Sequence, residues 1–300
     1  DLAAQLAERH GLAAANAPPP ANADWTIDQG WARYTAEDHG VWKTLFERQT
    51  KLLPGRACDE FVAGMRDLPI GPDQIPDFRR LSEVLMRQTG WQIIAVPGLV
   101  PDEVDHPANR RFPAGNFIRK AHELDYLEEP DVFHDVFGHV PMLMNPVIAD
   151  FVQAYGAGGL RAQQLGVLPN LARVYWYTVE FGLVQQKDGL RIYGSGIASS
   201  YTESVFALES PSPNRIGFDL ERVMCTDYRI DDFQEVYFVL QSLDDLLGLA
   251  AIDFAPLYAR VGQRAQLRPG DVLTTDRIVQ RGNGAYHAAR LAGAASGASG

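Results

Sequence analysis

The sequence is poor in cysteine, with only Cys58 and Cys225 among its 300 residues. One pair of cysteines cannot build a framework of several disulfides or a zinc site of four thiolates, and such sparing use is typical of proteins from reducing compartments. Any metal that this chain binds is therefore expected to have nitrogen and oxygen ligands.

Long apolar segments are also missing. Charge or proline interrupts every apolar stretch well before the roughly 18 residues of a transmembrane helix, and the first residues lack the basic and then apolar order of a signal peptide. These absences predict a cytoplasmic protein.

Positive charge is scarce, because 27 lysines and arginines stand against 38 acidic residues, for a formal net charge of −11. Nucleic acids and anionic membranes attract proteins with clustered basic residues, which this chain does not have. The expected partners are small molecules.

The composition that remains, 46% hydrophobic and 22% charged, is that of an ordinary globular protein. Residues 1–24, rich in alanine and proline, predict a mobile arm. Residues 25–262 are predicted to form one catalytic domain, and residues 263–300, which lose periodicity, an irregular tail.

Helical periodicity dominates the predicted domain, which indicates a mostly α, single-domain fold with a few short strands. The run WQIIAV at 91–96 is the clearest strand. Residues 233–240 have a mixed helical and strand character. The predicted helices span 36–53, 56–67, 76–89, 146–165, 168–187 and 243–251.

The segment EEPDVFHDVFGHVPMLM, residues 128–144, contains two histidines five residues apart, His134 and His139. Acidic residues and Pro130 at its start favour a helix N-terminus there. On an ideal α-helix a five-residue step turns about 140°, so the two imidazoles would diverge. Gly138 and Pro141 can distort a helix, and we predict that such a distortion lets the two histidines share a metal ion.

Glu180 is the only acid in the apolar run RVYWYTVEFGLV, residues 173–184. Burying a carboxylate without a partner is costly, and a cation held by the two histidines would be that partner. Two histidines and one carboxylate are typical of non-haem Fe(II) enzymes that activate oxygen. Zinc also uses this ligand set, and either histidine alone could equally be a buried core residue, so the residues themselves leave the metal open.

Arg119 lies fifteen residues before His134, and a guanidinium can bind a substrate carboxylate through two parallel hydrogen bonds. The residues alone favour a structural salt bridge instead, to Glu123, Asp125 or Glu128. Tyr175, Trp176 and Phe181 flank Glu180 and are either core residues or the walls of a pocket for a flat aromatic substrate.

Three segments resemble the signatures of the pterin-dependent aromatic amino acid hydroxylases: FHDVFGHVP (133–141), ARVYWYTVEFGL (172–183) and YGSGIASS (193–200). ANRRFP (108–113) and SPNRIGFDL (212–220) are similar to the short bacterial members that act on phenylalanine. The resemblance spans about Trp25 to Tyr258. It implies a monooxygenase that converts L-phenylalanine to L-tyrosine with O2, a tetrahydropterin and non-haem Fe(II).

The resemblance also implies roles for individual residues. The iron ligands would be His134, His139 and Glu180. Substrate binding would involve Arg119 on the carboxylate, aided by Ser199, in a pocket shaped by Pro130, Trp176 and Gly196. The positions near the pterin would be Asp135 and Tyr175.

Two positions bear on cofactor and substrate choice. Family members stack a phenylalanine on the pterin just before the ANRRFP segment, but the stretch here, LVPDEVDHPANRR, has no aromatic residue other than His106. We predict His106 as the substitute, the alternatives being another ring or weakened pterin binding. Ile230 stands where tyrosine hydroxylases carry an acid, which favours phenylalanine, although Asp231 and Asp232 are its neighbours.

Other functions stay open from the sequence. They are a hydroxylase of tyrosine or tryptophan, a relative that binds metal and amino acid with impaired pterin turnover, and a zinc hydrolase. The last is disfavoured because no second acid lies beside the ligands as in HExxH helices. The chain has no room for the regulatory domain or tetramerisation helix of the animal enzymes, which implies a monomer.

Overall fold

The computed structural model describes residues 21–98, 106–125, 130–252 and 254–297. Residues 1–20 of the predicted mobile arm lie outside the described residues, as do Glu128, Glu129 and most of the stretch before Asn109. None of the helices in these four ranges is both long and apolar enough to span a membrane.

The helices predicted from periodicity are present with nearly the expected bounds, except that the α-helix predicted over 168–187 ends at Tyr175. Local signals explain their ends: Thr35 and Asp38 form a capping box at the start of the first helix, and Asn145 caps a later one. The α-helices are α1 Ala36–Leu52, α2 Asp59–Asp67, α3 Phe78–Gln88, α4 Pro146–Gln164, α5 Leu168–Tyr175, α6 Ser195–Ala198, α7 Tyr201–Glu209, α8 Leu220–Met224, α9 Asp245–Ala250, α10 Phe254–Val261 and α11 Ala285–Gly297.

Strands are more numerous than predicted, and they form two sheets in the described residues. One sheet is a parallel pair, and the other has five strands in the order β4-β3-β6-β5-β7. The prediction of a mostly α fold is therefore confirmed only in part, because helices outnumber strands but the domain is mixed α/β. The strands are β1 Gln92–Val96, β2 Arg111–Gly115, β3 Leu183–Gln186, β4 Gly189–Ile192, β5 Asn214–Gly217, β6 Val236–Leu240 and β7 Ile278–Gln280.

Most of the strands that were not predicted from the sequence belong to the larger sheet. All five residues of β6 are buried, so the strand shows no alternation of polar and apolar residues. β3 lies within residues 168–187, which were predicted to be helical. A short apolar run has no periodicity that distinguishes a helix from a strand.

The tail beyond residue 262 also differs from the irregular segment predicted. β7 pairs antiparallel with β5, and α11 places Tyr286 against Phe206 and Phe233, with ring centroids 5.2 and 5.3 Å away. Both elements depend on contacts with residues far away in the chain, which a local pattern does not record.

The segment after His139 is held by a close approach of α2. Val140–Met144 forms a 3-10 helix, and a side chain at Gly64 would put its Cβ 2.1 Å from the carbonyl oxygen of Pro141. Only glycine leaves room for this contact, so α2 fixes the position of the chain immediately after the second histidine.

We predict that Gly64→Ala lowers the free energy of unfolding by about 1–3 kcal/mol, the usual cost of overpacking. The matched control is Gly40→Ala in α1, where nothing lies within 4 Å of the new methyl group. That change should leave stability equal or raise it by up to about 1 kcal/mol. Urea unfolding measures the free energy of unfolding of both variants. A Gly64→Ala variant as stable as Gly40→Ala would contradict the close approach.

Candidate metal centre and substrate pocket

His134 and His139 lie on a π-helix, Phe133–His139, and not on an α-helix with a sharp kink. Because the hydrogen bonds of a π-helix join residues i and i+5, side chains five apart fall on the same face. The Nε2 atoms of the two imidazoles are 3.2 Å apart. The predicted distortion is present, but its form is a wider helical turn over the whole segment.

Gly138 was predicted to distort the helix, but in the structure it allows a close contact with α6. A Cβ on this residue would lie 2.8 Å from the carbonyl oxygen of Ser195 and 3.3 Å from Cβ of Ser199. Glycine therefore lets α6 pack directly on the first π-helix, which brings two serine hydroxyl groups beside the histidines.

Aromatic packing fixes the other side of this π-helix. Phe133 and Phe137 are fully buried and stack on each other with ring centroids 4.8 Å apart. Trp42 and Phe46 of α1 pack on them edge to face, at 5.3 and 5.7 Å. One face of the π-helix is thus anchored in the core, and the opposite face carries the histidines.

Glu180 ends a second π-helix, Trp176–Glu180, which continues directly from α5. Its carboxylate reaches both histidines: Oε1 lies 3.0 Å from Nε2 of His139, and Oε2 lies 3.6 Å from Nε2 of His134. Two π-helices therefore bring the three predicted ligands together.

The hydrogen bonds of Ser199 set the tautomer of His134. The Ser199 hydroxyl donates its single proton to the carbonyl oxygen of Ser195 at 2.8 Å, so it must accept from Nδ1 of His134, 2.9 Å away. Nδ1 then carries the hydrogen, and Nε2 presents a lone pair to the cluster. Burial, in spite of the nearby Glu180 carboxylate, lowers the pKa of His134 to about 4, which keeps the ring neutral.

The carboxylate is ionised although it is enclosed. Burial alone would raise the pKa of Glu180, but the imidazoles of His139 and His134 outweigh it and lower the pKa to about 2. Burial also works against a charge on His139, yet the hydrogen-bonded Glu180 carboxylate raises the pKa of that imidazole. The cluster is arranged to hold positive charge close to Glu180.

The donor atoms suit one divalent transition-metal ion. Ligands about 2.1 Å from a shared ion lie about 3.0 Å apart when they meet at right angles, and the measured separations are 3.0, 3.2 and 3.6 Å. Nitrogen and carboxylate oxygen are the donors that non-haem iron prefers. The residues present therefore fit a metal centre.

Asp135 is a second carboxylate close to the cluster, since its ligand atom and those of His134 and His139 all lie within 4.8 Å of one another. Its Oδ2, however, accepts the backbone N–H of Gly115 at the end of β2, at 2.8 Å. Burial raises the pKa of Asp135 to about 7, so it is a poorer anionic ligand than Glu180. Glu180 is therefore the better candidate for the carboxylate ligand.

Arg119 forms the structural salt bridge that the residues favoured, but with a different partner. Its Nε and Nη2 donate to the fully buried carboxylate of Asp131 at 2.9 and 3.0 Å, instead of to Glu123 or Asp125. Nη1 donates to the carbonyl oxygen of Leu124 at 3.3 Å. A guanidinium has five N–H groups, so one on each Nη remains for a substrate carboxylate.

Asp131 in turn couples Arg119 to the metal site, because its Oδ1 accepts the backbone N–H of His134 at 3.0 Å. Burial would raise the pKa of Asp131, but the Arg119 guanidinium holds it below its usual range. Pro130 lies exposed just before this residue.

An aromatic wall runs from Trp176 to the carboxylate of Glu180. Trp176 stacks on Tyr228 with ring centroids 4.3 Å apart and packs on Phe181 at 4.7 Å. A Cβ on Gly196 would lie 2.9 Å from the Phe181 ring and 3.1 Å from Oε2 of Glu180. The structure thus places Gly196 against the Glu180 carboxylate and Trp176 on the other side of the Phe181 ring, and their role in shaping a substrate pocket stays a prediction.

The residues predicted near the pterin have different surroundings. The Tyr175 ring lies nearly parallel to the His139 ring, with centroids 6.4 Å apart, and Asp135 borders the cluster. His106 is only 3% exposed, and its Nε2 lies 2.9 Å from the carbonyl oxygen of Asp24. Its polar edge is therefore turned towards the N-terminal segment, and its role as a stacking ring stays a prediction.

Ser195 is a residue of this cluster that the sequence did not reveal. Its Oγ lies 2.9 Å from Nε2 of His139, 2.9 Å from the carbonyl oxygen of Val179 and 3.2 Å from Oε2 of Glu180. The only signal was its place in the small-residue turn YGSG. Nothing in that spacing indicates that the hydroxyl points at two metal ligands.

Comparison with known proteins places the chain in context. The family model described as "Biopterin-dependent aromatic amino acid hydroxylase" matches residues 29–254. The phenylalanine-4-hydroxylase of Caulobacter vibrioides is 62% identical over 287 residues, which cover 94% of this chain and 98% of the relative. That of Chromobacterium violaceum is 56% identical, covering 87% of this chain and 88% of the relative.

Solved structures agree in fold. The crystal structure of the Chromobacterium violaceum enzyme with iron and phenylalanine bound superposes with a TM-score of 0.84 at 51% identity, covering 93% of this chain and 100% of that one. The cobalt-bound enzyme from the same organism gives a TM-score of 0.86 at 53% identity, covering 93% and 99%.

We predict that Ser199→Ala weakens binding of Fe(II) or Co(II) about tenfold or more, because the acceptor that orients the His134 ring is lost. Ser204→Ala is the matched control, since that buried hydroxyl donates to the carbonyl oxygen of Ile197. Titration of the metal-free protein with each ion measures the affinities. Equal affinity in the two variants would contradict the role given to Ser199.

Proposed function

The chain belongs to the biopterin-dependent aromatic amino acid hydroxylase family, and we propose that it converts L-phenylalanine to L-tyrosine with O2, a tetrahydropterin and non-haem Fe(II). The observation that carries the proposal is the convergence of His134, His139 and Glu180 beside the aromatic wall that begins at Trp176. Relatives that match almost the whole chain at 62% and 56% identity are phenylalanine-4-hydroxylases.

His134, His139 and Glu180 would hold the iron, which together with the reduced pterin supplies the activation of dioxygen. The neutral His134 ring offers its Nε2 lone pair, and Glu180 is already ionised at neutral pH. Three protein ligands leave further coordination positions open. Ser199 is engaged by His134 and the Ser195 carbonyl group, so we propose that it acts chiefly by orienting His134.

Arg119 would bind the substrate carboxylate through its two remaining N–H groups. Asp131 holds the guanidinium from the other edge and also binds the backbone of His134, so substrate carboxylate and metal ligands share one rigid support. The ring of the substrate would lie against Trp176 and Phe181, where apolar side chains exclude water from the reacting positions.

The acids next to Ile230 have other partners, which supports phenylalanine as the substrate. Asp231 pairs with Arg229 at 3.1 Å, and Asp232 accepts hydrogen bonds from Tyr286 and Arg290 at 2.8 and 3.1 Å. Ile230 itself is 76% exposed. Neither carboxylate is free to select a hydroxylated ring.

We further propose that the chain acts as a monomer in the cytoplasm. Both cysteines are buried and unpaired, as expected for a reducing compartment. Size-exclusion chromatography with light scattering tests the monomer.

The proposed reaction is tested by product identification. Purified protein with Fe(II), a tetrahydropterin and oxygen should form tyrosine from phenylalanine, and more slowly if at all a product from tyrosine or tryptophan. Chromatography with mass spectrometry identifies each product. Absence of tyrosine, or faster conversion of another aromatic amino acid, would overturn the proposed substrate.

Arg119→Lys should raise KM for phenylalanine about tenfold or more, because a lysine keeps the charge but loses the planar fork that binds a carboxylate. Affinity for Co(II) should change less than KM, because Asp131 keeps its bond to the His134 backbone, and this difference separates substrate binding from damage to the metal site. Arg268→Lys is the control, because the Arg268 side chain is 87% exposed and pairs with Asp271. Equal KM values in the two variants would exclude Arg119 from substrate binding.

A further inference from the structure

We propose that Gln234 and the C-terminal helix α11 are positioning elements for Trp176 and so set the affinity for the aromatic substrate. This inference rests on the proposed function, because Trp176 is taken as a wall of the substrate pocket. Gln234 lies in the loop Asp227–Glu235, which also contacts α11 and is called the wall loop below.

Gln234 binds the edge of the Trp176 ring. Its Oε1 accepts the indole N–H of Trp176 at 3.0 Å, and its Nε2 donates to the carbonyl oxygen of Arg229 at 2.8 Å. The residue is 2% exposed, so water cannot readily replace either bond. With both ends of the amide used, the indole is fixed at its edge while Tyr228, also in the wall loop, covers its face.

A buried carboxylate, that of Glu203, holds the backbone of Gln234. Its N–H approaches Oε1 of Glu203 at 3.5 Å, and the same oxygen accepts the hydroxyl of Tyr237. Glu203 is 6% exposed and belongs to α7. The wall loop therefore rests on the domain core at the residue that binds Trp176.

Helix α11 holds the two residues immediately before Gln234. The Tyr286 hydroxyl donates to Oδ1 of Asp232 at 2.8 Å, and Nε of Arg290 donates to Oδ2 at 3.1 Å. Nε2 of His287 lies 2.8 Å from the carbonyl oxygen of Phe233. Three consecutive residues of the wall loop thus connect α11 to Trp176.

The wall loop is linked to the candidate metal ligands through contacts of Trp176. Trp176 packs on Phe181, and Gly196 fits closely between the Phe181 ring and the Glu180 carboxylate. Helix α11 lies beyond residue 254, where the match to the family model ends. Substrate affinity would therefore depend on a helix outside the part of the chain that the family model matches.

The test compares two ways of releasing Trp176. Gln234→Met conserves volume but removes both amide bonds, and the double variant Tyr286→Phe/Arg290→Met removes both side-chain bonds to Asp232. Leu291→Ala is the control on the same helix, because Leu291 is 68% exposed. Each variant is studied as the full chain loaded with Co(II) for binding and with Fe(II) for turnover.

We expect KM, and the dissociation constant of phenylalanine from the Co(II) protein, to rise about three- to tenfold in Gln234→Met, the factor that follows from losing one or two hydrogen bonds. The α11 double variant should change both constants in the same direction, while kcat stays within about twofold and Co(II) affinity is unchanged. The variant Tyr286→Phe/Arg290→Lys, which keeps the positive charge at position 290, should retain part of the affinity that Tyr286→Phe/Arg290→Met loses. A purely structural role would lower the melting temperature and leave both constants as they are, which would overturn the proposal.

A second measurement is independent of catalysis. In protein labelled with 5-fluorotryptophan, the 19F resonance of Trp176, assigned from Trp176→Phe, should shift or broaden in Gln234→Met and in the α11 double variant but not in Leu291→Ala. An unchanged resonance overturns the positioning role even if the wild-type chain proves not to hydroxylate phenylalanine. Failure of the wild type to form tyrosine, by contrast, contradicts the proposed function and leaves the resonance test intact.

Discussion

The convergence of two imidazoles on the Glu180 carboxylate constrains everything packed around it. Its donor atoms lie 3.0 to 3.6 Å apart, and two π-helices are what bring them to one point from separate segments. π-helices are rare compared with α-helices, and here tertiary contacts hold both of them in place. The stacked Phe133 and Phe137 hold the first turn from the core, and α6 holds it from the other side through the space left at Gly138.

The candidate ligands follow from residue types in the sequence, whereas their geometry does not. Two histidines and an isolated acid in apolar segments are conspicuous in a sequence, and they indicate His134, His139 and Glu180 as candidate ligands. A π-helix has no periodicity that a pattern of about seven residues can display, which is why an α-helix with a kink was predicted. The partner of Arg119 was missed for a related reason, because Asp131 is twelve residues away and meets it only after the chain folds.

The fold shows the same division between local and distant signals. α1, α3 and α4 have polar and apolar faces and caps of their own, and their bounds agree with the prediction. β6 is buried on both faces and β7 is three residues long, so each exists because of its neighbours in the sheet. The pocket wall is of this second kind, since Trp176 obtains its support from the wall loop and that loop from α11.

The single proton of the Ser199 hydroxyl has a consequence for metal loading. Because that proton is committed to the Ser195 carbonyl oxygen, the hydrogen of His134 is directed to Nδ1 before any ion arrives. An ion bound by these residues would therefore displace no proton from His134 and could displace one only at His139, whose pKa the Glu180 carboxylate raises against the effect of burial. Loading would then exchange a divalent ion for at most one proton at these residues, in a site whose rings are already oriented.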